Sequence, residues 1–464
     1  RDLVRSRGLG DVYKRQEYFF IEVFWEVDLM KRFALEKLIE WKDKQNRKPL
    51  IIRGARQVGK TWLMKEFGRT CFEKVAYVNF DNNKRLEQVF EGDINIDRIL
   101  LAISIETGVS IDAKNTLLIF DEVQEVPKAL SSLKYFCENA PEYAIVAAGS
   151  LLGVALHKGT SFPVGKVDFM DLYPLTFLEF LYALGEERFA NVLQSDDTDM
   201  ITMFKTKYIE RLREYYYVGG MPEVVKTYVD SKDFKQVREI QKNLLNYYQQ
   251  DFSKHAEVSL VPRLNLVWDS IPMQLAKENK KYIYGQVRKG SRAKDFELAL
   301  QWLLDCGLIH KVQRVGKVAL PLKAYLDLDA FKVYLLDIGL LIAMTDLDAQ
   351  VIIDGNRIFT EFKGALTEQY VLQQLIASEG IEPYYYSTSN SSGEIDFMIQ
   401  GKTSIIPLEV KAEENLRAKS LKAFCEKYHP KYAVRTSMSD YREQDWMTNI
   451  PLYNIYKIRE YADK

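Results

Sequence analysis

Two sets of residues in this chain have the types and spacing for chemistry on phosphates. The first is Gly54, Ala55, Arg56, Gln57, Val58, Gly59, Lys60 and Thr61, where a pair of spaced glycines leads into a lysine and a hydroxyl. Glycines let a backbone curl until several N–H groups face one anion, and a helix starting at the lysine adds the positive end of its dipole. In such a loop Lys60 reaches the β- and γ-phosphates of a nucleoside triphosphate, and the Thr61 hydroxyl ligates Mg2+. Further on, Asp121 and Glu122 end the apolar run Leu117-Leu118-Ile119-Phe120. An acidic pair there suits Asp121 for the same ion and Glu122 for polarising a water that attacks the γ-phosphate. The plainer reading is a pair of carboxylates favouring a helix start.

The second set lies near the C-terminus. Asp396 stands in G-E-I-D-F-M-I, and Glu409 and Lys411 stand in I-I-P-L-E-V-K-A, with a turn at Gly401 between them. Strand side chains alternate, which predicts Ile395, Phe397 and Ile399 on one face with Asp396 on the other, and Glu409 and Lys411 opposite Leu408 and Val410. Antiparallel pairing then brings the three polar groups together, beside Glu368 on a helix expected over Thr360 to Ser378. An edge hairpin with ordinary solvent-facing charges is the alternative.

These side chains need a scaffold. Leu50 to Ile52, Val75 to Asn79, Thr116 to Phe120 and Tyr143 to Ala148 are continuous apolar or β-branched runs, as buried parallel strands require. Helices are expected over Met30 to Gln45, Trp62 to Phe67 and Arg85 to Glu106, so the first part reads as an α/β parallel sheet with its acidic pair at the strand ends, where ligands bind. Gly149 and Ser150 follow the last of these strands. Ser150 there can sense the γ-phosphate or hold the attacking water, although Gly-Ser serves equally as a turn.

Glu179 to Lys254 reads as mostly helical, interrupted at Gly219-Gly220-Met221-Pro222-Glu223. Tyrosines at 215, 216, 217, 247 and 248 are expected in the core rather than as stacking platforms for bases. Asn265 to Ala276, Tyr284 to Val287 and Ala293 to Cys306, followed by a strand pair from Ile309 to Leu320, have the cadence of a winged helix. Between 277 and 294, Lys277, Lys280, Lys281, Arg288, Lys289, Arg292 and Lys294 face one acid, Glu278. That local excess suits a DNA phosphate backbone, as it also suits a solvated surface.

The 464 residues suggest about three domains, and 47% hydrophobic with 28% charged residues is ordinary globular composition. A net charge of −1 leaves no global field toward nucleic acid or membrane. Four cysteines (Cys71, Cys137, Cys306, Cys425) and four histidines are scattered without metal-ligand spacing, which favours a reducing cytoplasm. No apolar run reaches the length of a membrane span. Arg1 to Gln16 resembles the translated read-through of a sequencing adapter, and the native chain is expected to begin near Met30.

Taken in order, G-A-R-Q-V-G-K-T, L-L-I-F-D-E-V-Q, A-A-G-S and D-L-Y-P-L-T-F-L-E-F (Asp171 to Phe180) resemble the AAA-type P-loop ATPase domain of a large bacterial and archaeal family known only as ATP-binding proteins. In that family a domain of unknown function follows. The resemblance implies ATP and Mg2+ as ligands, ATP hydrolysis, and Ser150 as the polar sensor. It also allows a homo-oligomer, although Gly165-Lys166 replaces the Gly-Arg usual there, and an ammonium is a poorer substitute for an arginine finger. The C-terminal set resembles the PD-(D/E)xK nuclease core, in which Asp396 and Glu409 would bind Mg2+, Lys411 would steady hydroxide or phosphate, and Glu368 would support the metal. The expected divisions are 1–29 artefactual or disordered, 30–185 ATPase, 186–260 helical linker, 261–350 winged-helix-like and 351–464 nuclease-like. The function these readings imply is an ATPase coupled to a nucleic-acid-directed C-terminal domain. The alternatives are a slow nucleotide switch with a protein-binding back half, or an active DNA nuclease.

Overall fold

Every residue from Thr116 to Asp121 is buried, and so are Leu50 to Ile52 and Ala144 to Ala148, which is the pattern of strands covered on both faces. The computed structural model describes residues 30–463 except 82, 93, 150–161, 278–279, 354–359, 378–380, 389–392 and 415–417. Ser150, Glu278 and the first 29 residues lie outside the described set. Among the described residues the strands form two sheets.

In the first, β1 (Leu50–Arg53) leads through the glycine loop into α1 (Lys60–Cys71). It is joined by β2 (Lys74–Asn79), β3 (Thr116–Asp121), β4 (Ala144–Ala148) and β5 (Asp168–Asp171) in the order β2-β3-β4-β1-β5, all parallel. Strand β4 therefore stands between the one that feeds the loop and the one that ends in the acidic pair, and Gly149 emerges between the two. The helix expected from Arg85 to Glu106 is two helices, Lys84–Glu91 and Ile96–Thr107. The chain breaks at Gly92, and the Asn95 side chain caps the second helix by accepting from Arg98 N at 3.0 Å.

The helical part comprises α2 (Phe177–Ala183), α3 (Lys205–Val218) and the long α4 (Phe234–His255). Its tyrosines are core residues, with Tyr215, Tyr216, Tyr217 and Tyr248 all buried, while Tyr247 is exposed. Next come α5 (Val261–Leu275), α6 (Tyr284–Val287), α7 (Ala293–Asp305), β6 (Ile309–Val315) and β7 (Leu326–Leu335); the strand pair expected within Ile309 to Leu320 is wider, its second strand starting only at Leu326. The β6–β7 hairpin is not a separate wing. It forms one edge of an eight-stranded sheet completed by β8 (Tyr384–Ser387), β9 (Glu394–Gln400), β10 (Ile405–Val410), β11 (Val434–Ser437), β12 (Arg442–Glu443) and β13 (Thr448–Pro451). Strands β6 and β8 join at Arg314 and Tyr385, so the border expected at 350/351 runs through one continuous sheet. Helices α8 (Ile338–Met344), α9 (Thr360–Ala377) and α10 (Lys419–Tyr428) flank it.

The Gly219-Gly220 turn now has a physical reason. A Cβ on Gly220 would collide with the Leu175 carbonyl, one on Gly219 with the Asp337 carboxylate, and one on Gly339 with the Val218 carbonyl. Asp337 is fully buried, accepts from Gly220 N at 2.6 Å and Gln373 Nε2 at 3.1 Å, and caps α8 through Leu340 N. On α9 the neighbouring Gln374 accepts from Phe177 N at 2.9 Å, so α2, the 219–220 turn, α8 and α9 meet at this close-packed junction.

Candidate nucleotide-binding site

The loop at the head of β1 has the strain that its glycines and its tight curl call for. Gly54 has φ 148°, Gln57 66° and Gly59 94°, and a Cβ at Gly54 would strike the Leu172 carbonyl. Lys60 begins α1 and turns back into the loop, where its Nζ donates to Gly54 O and Ala55 O, each at 2.8 Å. The Thr61 hydroxyl donates to Asp121 Oδ2 at 2.7 Å. Tyr77 OH donates to the same oxygen at 3.0 Å, and Glu122 N donates to Asp121 Oδ1 at 3.1 Å. Glu122 sits in the left-handed region (φ 50°), and its carboxylate accepts from Gln124 Nε2 at 2.7 Å.

Burial pulls the Lys60 ammonium down from 10.5 to about 8, against the opposing pull of Glu122 and Asp121, with Arg56 adding to the fall. Burial and the neighbouring Asp121 push the Tyr77 phenol up, which keeps it a proton donor to that carboxylate. The residues present fit a magnesium triphosphate. Thr61 and Asp121 offer a hydroxyl and a carboxylate oxygen, the hard donors Mg2+ takes, and Gln57 Oε1 is buried in the loop without a hydrogen-bond partner.

Residues far away in sequence hold this loop. Arg32 is buried, accepted by Glu179 Oε1 at 3.2 Å, Val58 O at 3.3 Å and Tyr173 O at 2.7 Å. Glu179, from the segment that carried the family resemblance, also closes a capping box with Thr176 at the start of α2, so its role here is structural. On the other side α4 reaches over. Tyr248 OH donates to Arg56 O at 2.9 Å, and the Arg56 guanidinium pairs with Asp251. The turn before β6 backs the loop, with a Cβ at Gly307 falling 3.3 Å from Ala55 N. A cavity of about 650 Å³ opens there between Gly54, Val58, Ile309 and His310. Sequence reading missed Arg32 and Asp251, because neither belongs to a local motif. Lys166, which the resemblance sets against an arginine finger, pairs with Glu138 of its own chain at 2.9 Å.

The C-terminal set is arranged differently from the expectation. Between Tyr384 and Tyr386 the register of β8 on β9 slips by one, so Asp396 and Phe397 both face Tyr385. That bulge reverses the alternation. Ile395 and Met398 pack toward α10 with Leu421 and Phe424, while Phe397 and Ile399 join the main core, and Asp396 comes under the field of Glu368. Glu368 is held by Lys280 and by Tyr334 OH at 3.1 Å, with the buried Lys332 Nζ at 3.6 Å. Lys332 also pairs with Glu394. Burial, and then the charge of Glu368, pushes the Asp396 carboxyl well up, and Asp396 accepts from Val410 N at 2.7 Å. Glu409 instead pairs with Lys411 at 2.6 Å and accepts from Leu421 N of α10 at 3.1 Å. Lys411 links the two parts of the set, since it pairs with Glu409 and also lies in the field of Asp396 and Glu368. Among the described residues no group of three or more His, Cys, Asp or Glu is placed to hold a metal ion. Lys332 was missed, although a lysine inside the apolar run Phe331 to Leu336 was a visible signal.

Residues 46–181 match the family model described as an AAA domain, 209–351 that of a domain of unknown function (DUF8612), and 363–455 that of another (DUF4143). With the loop, the acidic strand end and the parallel sheet, the first match supports an AAA-type P-loop ATPase domain over these residues. No curated protein matches the chain. Among solved structures, the Walker-type ATPase PABY2304 of Pyrococcus abyssi is 16% identical with a TM-score of 0.44, over 68% of this chain and 96% of that one. The Orc1 protein of Aeropyrum pernix in complex with DNA is 12% identical with a TM-score of 0.25, over 68% and 90%. Drosophila ORC bound to DNA is 12% identical with a TM-score of 0.25, over 70% and 95%. Likenesses this loose fix no role for any residue. Among the described residues no helix is long and apolar enough to cross a membrane.

Proposed function

We propose that the chain binds and hydrolyses ATP and passes its nucleotide state to the back half, whose partner is the phosphate backbone of DNA. The observation that carries the first part is the Thr61 hydroxyl on the Asp121 carboxylate at 2.7 Å, beside a buried lysine turned into the loop. Lys60 would neutralise phosphate charge, and the loop amides would orient the triphosphate. Thr61 and Asp121 would hold Mg2+, which when bound supplies charge stabilisation at the phosphate oxygens. Glu122, steadied by Gln124, would polarise the attacking water.

The DNA part rests on Arg288, Lys289, Arg292 and Lys294, which are exposed around the start of α7. Lys280 from the same stretch is turned inward onto Glu368 and does not contribute. The pairing of Lys166 with Glu138 favours a second reading, in which turnover is slow and the chain acts as a nucleotide switch. The arrangement around Glu368 does not favour strand cleavage, since two ammonium groups already take up its carboxylate. ATP turnover measured with and without duplex DNA tests the proposal. Stimulation that is lost on changing Arg288 and Lys289 to Glu supports the coupled reading, and an unchanged slow rate supports the switch. Glu122→Gln should retain ATP while lowering turnover about a hundredfold or more; a variant as fast as the parent removes Glu122 from the mechanism.

A further inference from the structure

Arg56 is the side chain that joins the phosphate loop to α4, and its position gives it two anions to choose from. Its guanidinium lies on Asp251, whose side chain is 11% exposed, while its own is 45% exposed and has room to swing. Arg56 stands four residues before Lys60 in the same loop, and its charge acts on that ammonium. The backbone at this point is fixed independently, by Tyr248 OH on Arg56 O at 2.9 Å and by the Gly307 turn behind Ala55. The side chain can therefore move while the loop stays put.

We propose that Arg56 senses the γ-phosphate: its guanidinium exchanges between Asp251 and the terminal phosphate of ATP, so that ATP loosens the C-terminal end of α4 and ADP does not. This rests on the ATP-binding reading above and names how that site is read out. A guanidinium binds phosphate oxygens bidentately, and a dianionic phosphate competes well with one carboxylate. Leaving Asp251 without its cation in a mostly buried place opposes the exchange, which is why the shorter anion of ADP should fail to draw Arg56 away. The consequence travels along one rigid element. Ten residues up α4, about 15 Å at the helical rise, Gln241 Nε2 donates to Tyr217 O at 2.7 Å and Val218 O at 3.1 Å, next to the Gly219-Gly220 junction.

Calorimetry on the full chain with Mg-ATP and Mg-ADP, alongside hydrogen exchange over 248–256, tests this. Asp251→Asn should raise ATP affinity about three- to tenfold and leave ADP affinity within about twofold, as Arg56 no longer has a competing carboxylate. Arg56→Gln, at a half-exposed position that tolerates change, should bring ATP and ADP affinities together. It should also abolish the faster exchange of α4 that a non-hydrolysable ATP analogue produces in the parent. An ATP-to-ADP affinity ratio unaltered in both variants, or α4 exchange equal with both nucleotides in the parent, overturns the proposal. Failure of the parent to bind any nucleotide would instead remove the ATP-binding reading, and binding that survives Lys60→Ala would do the same.

Discussion

Lys60 carries the sharpest quantitative expectation. Its ammonium is only 6% exposed, and burial brings its pKa from 10.5 to about 8. The phosphates of ATP require the charged form, so binding must pull that pKa back up and draw a proton from solvent. At pH 8 about half the lysines are neutral, and binding should take up about 0.5 proton per ATP; at pH 9 the uptake approaches about one, and affinity falls about tenfold from its value at pH 7. ATP's own phosphate is fully ionised well above its pKa near 6, so this slope belongs to the protein. Calorimetry in buffers of different ionisation enthalpy measures the uptake directly. Lys60→Arg keeps its charge throughout and should bind more weakly but without the slope. Stability without nucleotide follows with a definite sign. The folded pKa lies below the unfolded one, so between pH 8 and 10.5 the unfolded chain binds more protons and stability rises with pH, by at most roughly 3 kcal/mol. An affinity that stays flat from pH 7 to 9, with no proton uptake, would refute the claim that burial neutralises this lysine.

Three further outcomes can be checked. Asp121→Asn should remove at least about tenfold of the Mg-dependent part of ATP affinity and leave metal-free binding within about twofold; equal losses with and without Mg2+ in a titration would take Asp121 out of the ion's shell. Lys332→Met leaves Glu394 without its buried cation and should cost about 3–5 kcal/mol in denaturant unfolding, with part recovered by Glu394→Gln in the same chain; a loss under about 1 kcal/mol would mean that water reaches the pair. Gly220→Ala forces a methyl against the Leu175 backbone and should cost about 2–3 kcal/mol, read as a lower Tm; an unchanged Tm would show that the junction gives way.

The phosphate loop was legible because its chemistry is written in consecutive residues. Gly54 to Thr61 carry both the backbone permission and the charged side chain, and three buried strands announce themselves as apolar runs. The acidic strand end was legible for the same reason, since Asp121 follows directly from the run that buries it. What could not be read was anything that depends on an insertion or on a distant partner. One extra residue in β9 turns Asp396 to the other face, and no alternation rule contains that slip. The pair between Arg56 and Asp251 joins residues whose separation in sequence carries no spacing signal. The wing was read as a module because its helix and strand order is local. Its incorporation into a larger sheet runs through the pairing of Arg314 with Tyr385, formed between residues 71 apart in sequence.

The charges around Glu368 tie two segments of the back half together. The carboxylates of Glu368, Glu394 and Asp396 come from the segment after 360, and the ammonium groups of Lys280 and Lys332 come from the segment before it. Two cations balance two anions, and the third carboxyl is pushed toward its protonated form, so the cluster is near neutral as its burial demands. Separating the segments would strand charges of both signs in an apolar interior, at a cost of several kcal/mol for each ion. Strands β6 and β8 join the same two segments through the backbone. Under the proposed coupling, a signal passing along α4 would reach this body at the glycine junction of 219–220 and 339, where Gly219, Gly220 and Gly339 leave no room for a Cβ.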